Sequence, residues 1–538
     1  MSDRSYRERR TRLFTSAVGC MTLLAAGAAI GAAQNAAKPA TAKVYKRIPD
    51  AEIRKHLDRD WVRKSLVTDL LDHWVKAAVM PNGFIQENLD RQWKPWGEQR
   101  EASLNGQGRV LYTLAIGYEV SGGDKRYLDA LTRGADFLLK MHDDQYGGYY
   151  NRVTPDLKVI DDTKGGFQSF AIFSLAHAAR VTKNQKYAKA AMDAFHELRA
   201  KMSDGPFITG NFKRDFSGPA PRGAGFGGPG GGRGAGGRSG AGAPGGAAPG
   251  APAPGAGQQG RGGFNAPGGH GLNVHMFEAL LGLYEATRSK EVWDVIQAQL
   301  DVMAKVYNYD LGYLSESYDA NWKPTGTPGG NAGHLFEWAS LLSRAVELGA
   351  DPKFIELGSR NLDLGLKSYN KEVGGLGGRN ASGAPSNMLW WPQCEVIKAT
   401  AHYAILRGRS DLWPYHQQTL DFVKKTYLDT EYGGWFEGYI PGSPREALGA
   451  RAYIKGAVDG PELSPYHMTS MFLPSLSNIL RKSLYRAAFS HRLYAGAATV
   501  SSTSAIATMF SLEQPCMSSN GRPADPTEAM FKRSLGDL

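Results

Sequence analysis

The chain reads as all-α: an (α/α)6 barrel, a closed toroid of six helical hairpins with short β-hairpins between the repeats. Three observations predict it. Five helices begin with an aromatic marker, at Tyr127, Tyr187, Trp293, Phe354 and Trp413, separated by 60, 106, 61 and 59 residues. The long interval contains a Gly-rich segment of 55 residues, and removing roughly 46 for an insert restores the period. Gly83-Phe84 through Trp93-Lys94-Pro95 and Gly312-Tyr313 through Trp322-Lys323-Pro324 repeat one spacing. Apolar residues also recur at helical spacing in twelve segments. An open solenoid is the structural alternative.

Residues 1–47 come first. Arg4, Arg7, Arg9, Arg10 and Arg12 precede the weakly apolar run LFTSAVGCMTLLAAGAAIGAA, with small residues such as Gly31 and Ala33 beyond it. That order reads as an export signal and its flank, placing the mature protein in the periplasm or outside the cell. An uncleaved signal anchor is the alternative, and the only membrane contact expected. The toroid is placed at 48–483. Its helices are expected near 51–80, 99–122, 125–142, 164–182, 184–203, 272–288, 290–307, 331–348, 351–369, 386–407, 409–428 and 465–483. Residues 217–271 hold 24 Gly, 8 Pro and 11 Ala, too little apolar bulk to offset chain entropy, and are expected to be a disordered linker. Residues 484–538 lose the pattern and remain unplaced. Three distant cysteines make neither a disulfide framework nor a zinc ribbon.

Charge narrows the function. Lys+Arg number 63 against 52 Asp+Glu, a net +11. Residues 1–47 contribute nine basic and two acidic groups, and 217–271 four arginines and no acid. The rest is neutral, so no nucleic-acid partner is expected.

In such a ring the even-numbered helices line the inside. Their N-terminal ends offer Arg109, Gln168, His275, His334, Trp390-Trp391 and His467. A histidine at a helix start feels the positive helix end, which favours its neutral, base-competent form. His275-Met-Phe-Glu278 and His334-Leu-Phe-Glu337 lie one repeat apart, with His and Glu on one helical face, where the carboxylate can orient the imidazole. A single such pair reads better as a first-turn acid beside a core histidine; two in register with a third His favour proton transfer. Two His-x-x-Glu pairs on facing helices could also ligate a metal, but no carboxylates from adjoining helices stand out with matching spacing, and no metal or cofactor is expected. Trp390, Trp391, Trp435 and Phe436 could floor a sugar site or simply pack the core.

The segments NVHMFEALLGLYEATR, GHLFEWASLL, LWWPQCEVIKA and EYGGWFEGY resemble motifs of the N-acylglucosamine 2-epimerase superfamily, which includes cellobiose 2-epimerases and mannose or sulfoquinovose isomerases. The resemblance covers about 50–480. NVHMFEA and GHLFEW look more like the isomerase branch. It implies an (α/α)6 barrel and cofactor-free proton transfer at C2 of a mono- or disaccharide through a cis-enediolate. It implies His334 and His467 as the acid/base pair, Glu337 supporting His334, and Arg109 and His275 contacting sugar oxygens. It implies Trp391 and Glu395 lining the pocket; the helix starts and the i, i+3 pair add Glu278, Gln168 and Trp390 as candidate substrate contacts. Departures at Gly166, Glu462 and Ser470 put the sugar's identity in question. The rivals are a glycoside hydrolase or lyase using Glu337 and Glu395, or Asp161 and Asp162, and a non-catalytic glycan-binding toroid.

Overall fold

The computed structural model describes residues 46–95, 101–220, 269–325, 331–379, 383–456 and 465–476. These all belong to the unit ending at Ser477. The expected export segment through residue 45, the Gly-rich stretch 221–268, Glu462 and the tail 484–538 lie outside the described residues.

The helices are α1 (Asp50–His56), α2 (Arg59–Leu66), α3 (Asp72–Ala77), α4 (Leu104–Val120), α5 (Lys125–Leu139), α6 (Ser169–Thr182) and α7 (Gln185–Met202). They continue with α8 (Val274–Thr287), α9 (Lys290–Val306), α10 (Ala332–Glu347), α11 (Lys353–Gly365), α12 (Trp390–Arg407), α13 (Trp413–Thr426) and α14 (Pro465–Phe472). Each of α4, α6, α8, α10, α12 and α14 packs on the next, and α14 packs back on α4. That circuit is a closed inner ring, so the toroid holds and the open solenoid falls. The odd-numbered helices from α5, with α2 and α3, form the outer layer.

Composition separates the layers. Along α4 every residue from Leu104 to Gly117 is buried, whereas α5 buries one face through Tyr127, Ala130, Leu131, Ala135, Phe137 and Leu138. An apolar stripe faces the core, and a helix apolar all round belongs inside it. Gly117 admits the Tyr127 ring: a Cβ there would sit 2.6 Å from the ring edge. The marker tyrosines repeat their contacts too. The Tyr127 hydroxyl donates to Asp72 at 2.8 Å, and that of Tyr187 to Asp136 at 2.7 Å, each on the preceding outer helix.

Several boundaries differ from the sequence expectation. Helix α6 starts at Ser169, behind a 3-10 turn over Gly166–Gln168, rather than near 164, and α14 gives way to a turn after Phe472 rather than running on towards 483. The first outer helix is not continuous over 51–80: Leu57 is extended, Asp58 recaps the chain by accepting from the Trp61 amide, and a π-helical turn spans Val67–Leu71. Two further inner helices start late, at 104 and 390 rather than 99 and 386. The residues before them, Ala102–Ser103 and Met388–Leu389, pair as short strands with Arg152–Val153 and Gly438–Tyr439. At the ends of the Gly-rich segment, Phe212 bridges Pro219, and His270–Gly271 pairs with Ser317–Tyr318.

The repeated turn is real. Asp90 and Asp319 each accept two backbone amides of their own turn, Gln92 and Lys94 in one and Asn321 and Lys323 in the other. Trp93 and Trp322 then take left-handed φ values of 64° and 59°. Among the described residues no helix is long and apolar enough to cross a membrane.

Candidate active site

The inner ring brings Arg109, His275, His334, Trp391 and His467 together through a chain of contacts. The Trp391 ring lies 5.3 Å from His334 and 5.5 Å from His467. His275 lies 6.5 Å from both His334 and Tyr466. The Arg109 guanidinium sits between the Phe170 and Tyr466 rings, at 4.9 and 5.0 Å, with no ion-pair partner among the described residues. Gly333 gives Trp391 its room, since a Cβ there would fall 2.4 Å from the indole.

The two outlying histidines hold different carboxylates. His467 Nδ1 lies 2.8 Å from Glu395 Oε1 on α12, and Glu395 Oε2 lies 2.5 Å from Lys398 Nζ. His334 Nδ1 lies 2.7 Å from Glu316, in the segment between α9 and α10. An ionised carboxylate only accepts, so Nδ1 carries the hydrogen in both rings and Nε2 is left for a substrate. Burial pulls His467 down to about 4, despite Glu395. Burial acts on His334 in the same sense, but the Glu316 charge and hydrogen bond outweigh it and raise the ring to about 9. At neutral pH one ring is therefore neutral and the other an imidazolium. The expectation that helix starts keep all these histidines neutral fails at His334, because a carboxylate at contact distance outweighs a helix end.

Several sequence expectations are corrected. Glu337 makes no hydrogen bond to His334 and reaches it only through its charge. Its nearest histidine is His275 on the neighbouring inner helix, at 3.6 Å. Glu278 does not hold His275; it accepts from the Tyr466 hydroxyl. The cause is geometric: at i, i+3 the Glu sits one turn deeper in the barrel while the His stays at the rim. Glu395 does not line the pocket. It is fully buried behind His467. Gln168 is no sugar ligand either. Its amide is consumed by the Tyr149 backbone, accepting from the N–H and donating to the C=O, both at 2.8 Å. Gln107 does the same to Ile85, and Gln393 to Leu376, so all three are staples of the repeat. Trp390 is 1% exposed and belongs to the core, one residue out of phase with Trp391. Ser470 turns its hydroxyl onto the His467 carbonyl, and Gly166 offers its carbonyl to Asn273. Asp161, of the rival hydrolase pair, is spent on Thr163 and Asn151.

Donor atoms of His275, Glu278 and Glu337 come within 4.8 Å of one another. As a metal site they fit poorly. Burial raises both glutamates towards their neutral forms, the nearby Lys398 supplies positive charge already, and Tyr466 occupies Glu278.

Sequence reasoning missed Glu316, Lys398, Phe170 and Tyr466. A signal for Glu316 existed in the repeat register. Glu87, Glu316 and Glu437 each stand four residues after the first glycine of a hairpin. The carbonyls of Glu316 and Glu437 accept from the amides of Leu272 and Trp390, at 2.9 and 3.0 Å, where the chain enters an inner helix.

Known proteins agree with this architecture. The sequence profile of the N-acylglucosamine 2-epimerase (GlcNAc 2-epimerase) family matches residues 83–224 and 253–447. A mannose-6-phosphate isomerase of Rhizobium meliloti (strain 1021) is 30% identical over 151 residues, 26% of this chain; the matched stretch spans 39% of that relative's length. The cellobiose 2-epimerase of Spirochaeta thermophila shares the fold with a TM-score of 0.62 at 20% identity, covering 80% of this chain and 98% of that one. A D-mannose isomerase gives 0.57 at 15% identity, covering 80% and 98%. With the profile matching most of the chain across the inner helices that carry Arg109, His275, His334 and Trp391, the protein belongs to the N-acylglucosamine 2-epimerase family.

Proposed function

We propose that the protein is a sugar epimerase or aldose–ketose isomerase that moves the C2 proton of an opened mono- or disaccharide without a cofactor. The observation that carries this reading is the pair of histidines flanking one tryptophan, each with Nδ1 on its own glutamate and Nε2 left for a substrate. Burial lowers His467, while the Glu316 charge outweighs burial and raises His334, which suits them to opposite roles. Neutral His467 accepts the C2 proton at Nε2. The C2–H electron pair becomes the C1=C2 bond, and charge collects on the former carbonyl oxygen. Arg109, held between two rings, stabilises that oxygen. His334 enters as the imidazolium and donates its Nε2 proton. Delivery to the other face of C2 inverts it; a proton delivered to C1, with the O2 hydroxyl proton passing to O1 as the C1=C2 pair shifts and the C2 carbonyl forms, yields the ketose. The arginine-rich start and apolar run of residues 1–47 support the reading that this activity lies outside the cytoplasm, on a periplasmic sugar or an oligosaccharide end.

The test is proton exchange. Mannose, glucose and cellobiose are incubated with the protein in heavy water, and label at C2 is followed by NMR. His334→Ala and His467→Ala should each slow incorporation by about 10²–10⁴-fold. Undiminished exchange in both variants refutes the role assignment. Absence of label in every sugar, together with glycosidic cleavage, replaces the reading with a hydrolase.

A further inference from the structure

His334 and His467 are alike in sequence terms. Each is a histidine near the start of an inner helix, each with Nδ1 on a glutamate within 2.8 Å. Yet their surroundings differ in one respect. Glu395 is shared: His467 takes one oxygen and Lys398 the other, at 2.5 Å, all inside the barrel wall. Glu316 has no lysine or arginine paired with it among the described residues; its ion-pair partner is His334 itself.

The other charged groups around each ring reinforce the contrast. Beyond Glu316, His334 faces Glu395, and Glu337 in the fraction that burial leaves ionised, with no cation among its main charged neighbours in the described residues. His467 faces Arg109 and Lys398 beyond Glu395, so its single carboxylate is opposed by two cations. His275 lies close enough to feel both rings and is itself kept neutral, first by burial and then by Arg109.

We propose that Glu316 and Lys398 are positioning residues that assign opposite proton-transfer roles to the two histidines. The uncompensated Glu316 carboxylate makes His334 the donor, and Lys398, by neutralising Glu395, leaves His467 the acceptor. Neither residue touches the reacting atoms. Lys398 lies one helical turn below Glu395 on the same α12 face, so one lysine compensates the carboxylate from within its own helix. Glu316 reaches His334 because its backbone is pinned: its carbonyl accepts from Leu272, and the adjoining Ser317–Tyr318 pairs with His270–Gly271. The proposal rests on the acid/base reading of His334 and His467 and says what makes them unequal.

The experiment titrates the histidine side chains by NMR in the full-length protein, comparing it with Glu316→Gln, Lys398→Met and Lys398→Arg. Glutamine preserves an acceptor for Nδ1 and removes the charge, so the His334 midpoint should fall by about 1–3 pH units. Lys398→Met should raise the His467 midpoint by a comparable amount, and Lys398→Arg should restore it. In the kcat/KM profile, Glu316→Gln should draw the alkaline limb towards neutrality and Lys398→Met the acid limb. A purely structural role would lower the thermal midpoint and leave these titrations in place. Should Lys398→Met not fold, Glu316→Gln decides its half and Lys398→Gln takes the place of the methionine variant. An unmoved His334 midpoint in folded Glu316→Gln, or an unmoved His467 midpoint in the folded lysine variant, overturns the proposal. Failure of the functional reading looks different: no sugar exchanges label with any variant, while both midpoints still move as stated.

Discussion

Two hairpins far apart in the chain carry the same buried ionic staple. In the first, Asp143-Asp-Gln-Tyr-Gly-Gly-Tyr-Tyr150, the Asp143 carboxylate meets Lys164 at 3.2 Å and Arg214 at 2.8 Å. In the second, Asp429-Thr-Glu-Tyr-Gly-Gly-Trp-Phe436, Asp429 meets Lys455 and Arg91, both at 2.8 Å. Each lysine sits ahead of the next inner helix, and each arginine comes from the hairpin after that. The arginines also lie over aromatic rings of the same hairpin, Arg214 over Tyr146 and Arg91 over Tyr432. One difference matters. Asp143 and Arg214 are 71 residues apart, Asp429 and Arg91 are 338 apart. The second staple joins the last repeat to the first, so one local device serves once as an internal rivet and once as the seam that closes the ring. The short strand pair Leu89–Asp90 with Ile454–Gly456 lies along the same seam.

The largest expected effect comes from removing either buried carboxylate. Asp429→Asn and Asp143→Asn each leave a fully buried lysine without its counter-charge and should cost about 3–5 kcal/mol in denaturant unfolding. Hydrogen exchange should then separate them. The seam variant should lose protection at Ile454–Gly456 and through α4 and α14, while Asp143→Asn should open only its own hairpin and the neighbouring turn. Equal, local loss in both would mean that the long sequence separation has no consequence.

Acid should act on both staples together. Against burial, which raises them, the hydrogen bonds from Arg214 and Arg91, and then the charge and hydrogen bonds of Lys164 and Lys455, hold the two carboxyls well below the usual carboxylate range. The unfolded chain therefore binds more protons at low pH, and the stability from these groups, complete above about pH 4, is lost as pH falls below it. In the double Asp→Asn variant the acid side of the stability curve should flatten. An unchanged slope would show that other carboxyls dominate acid unfolding.

The smallest effect belongs to the glutamine staples, which repeat without any charge. Gln168→Ala leaves the Tyr149 backbone unsatisfied and should cost about 1–3 kcal/mol in thermal melts, with KM for the sugar unchanged. A raised KM with unaltered melting would return Gln168 to the pocket. Gln393→Ala should behave alike at Leu376.

Much of the fold was legible because its repeat is written in spacing. The aromatic markers, the Gly-aromatic hairpins and the apolar inner helices all follow local rules, and twelve segments in register imply a ring. Helix starts were misjudged where two extended residues pair across the hairpin, since strand partners lie about 50 residues away in sequence. The site was legible at one level only. Arg109, His275, His334, Trp391 and His467 were identifiable as helix starts facing one mouth. Which carboxylate serves which histidine was not, because Glu316 and Glu395 approach from other elements and the tempting i+3 glutamates point a turn deeper.

The sequence alone determined the period, the inner and outer layers and the ring of histidines, all consequences of local propensity and burial pattern. Only the tertiary structure decided that His334 is charged and His467 neutral, that Gln168 and Trp390 belong to the scaffold, and that Arg91 closes the ring on Asp429. Those outcomes depend on distances between groups remote in sequence. Charge and hydrogen bonding act over a few ångströms in space, and no spacing along the chain encodes them.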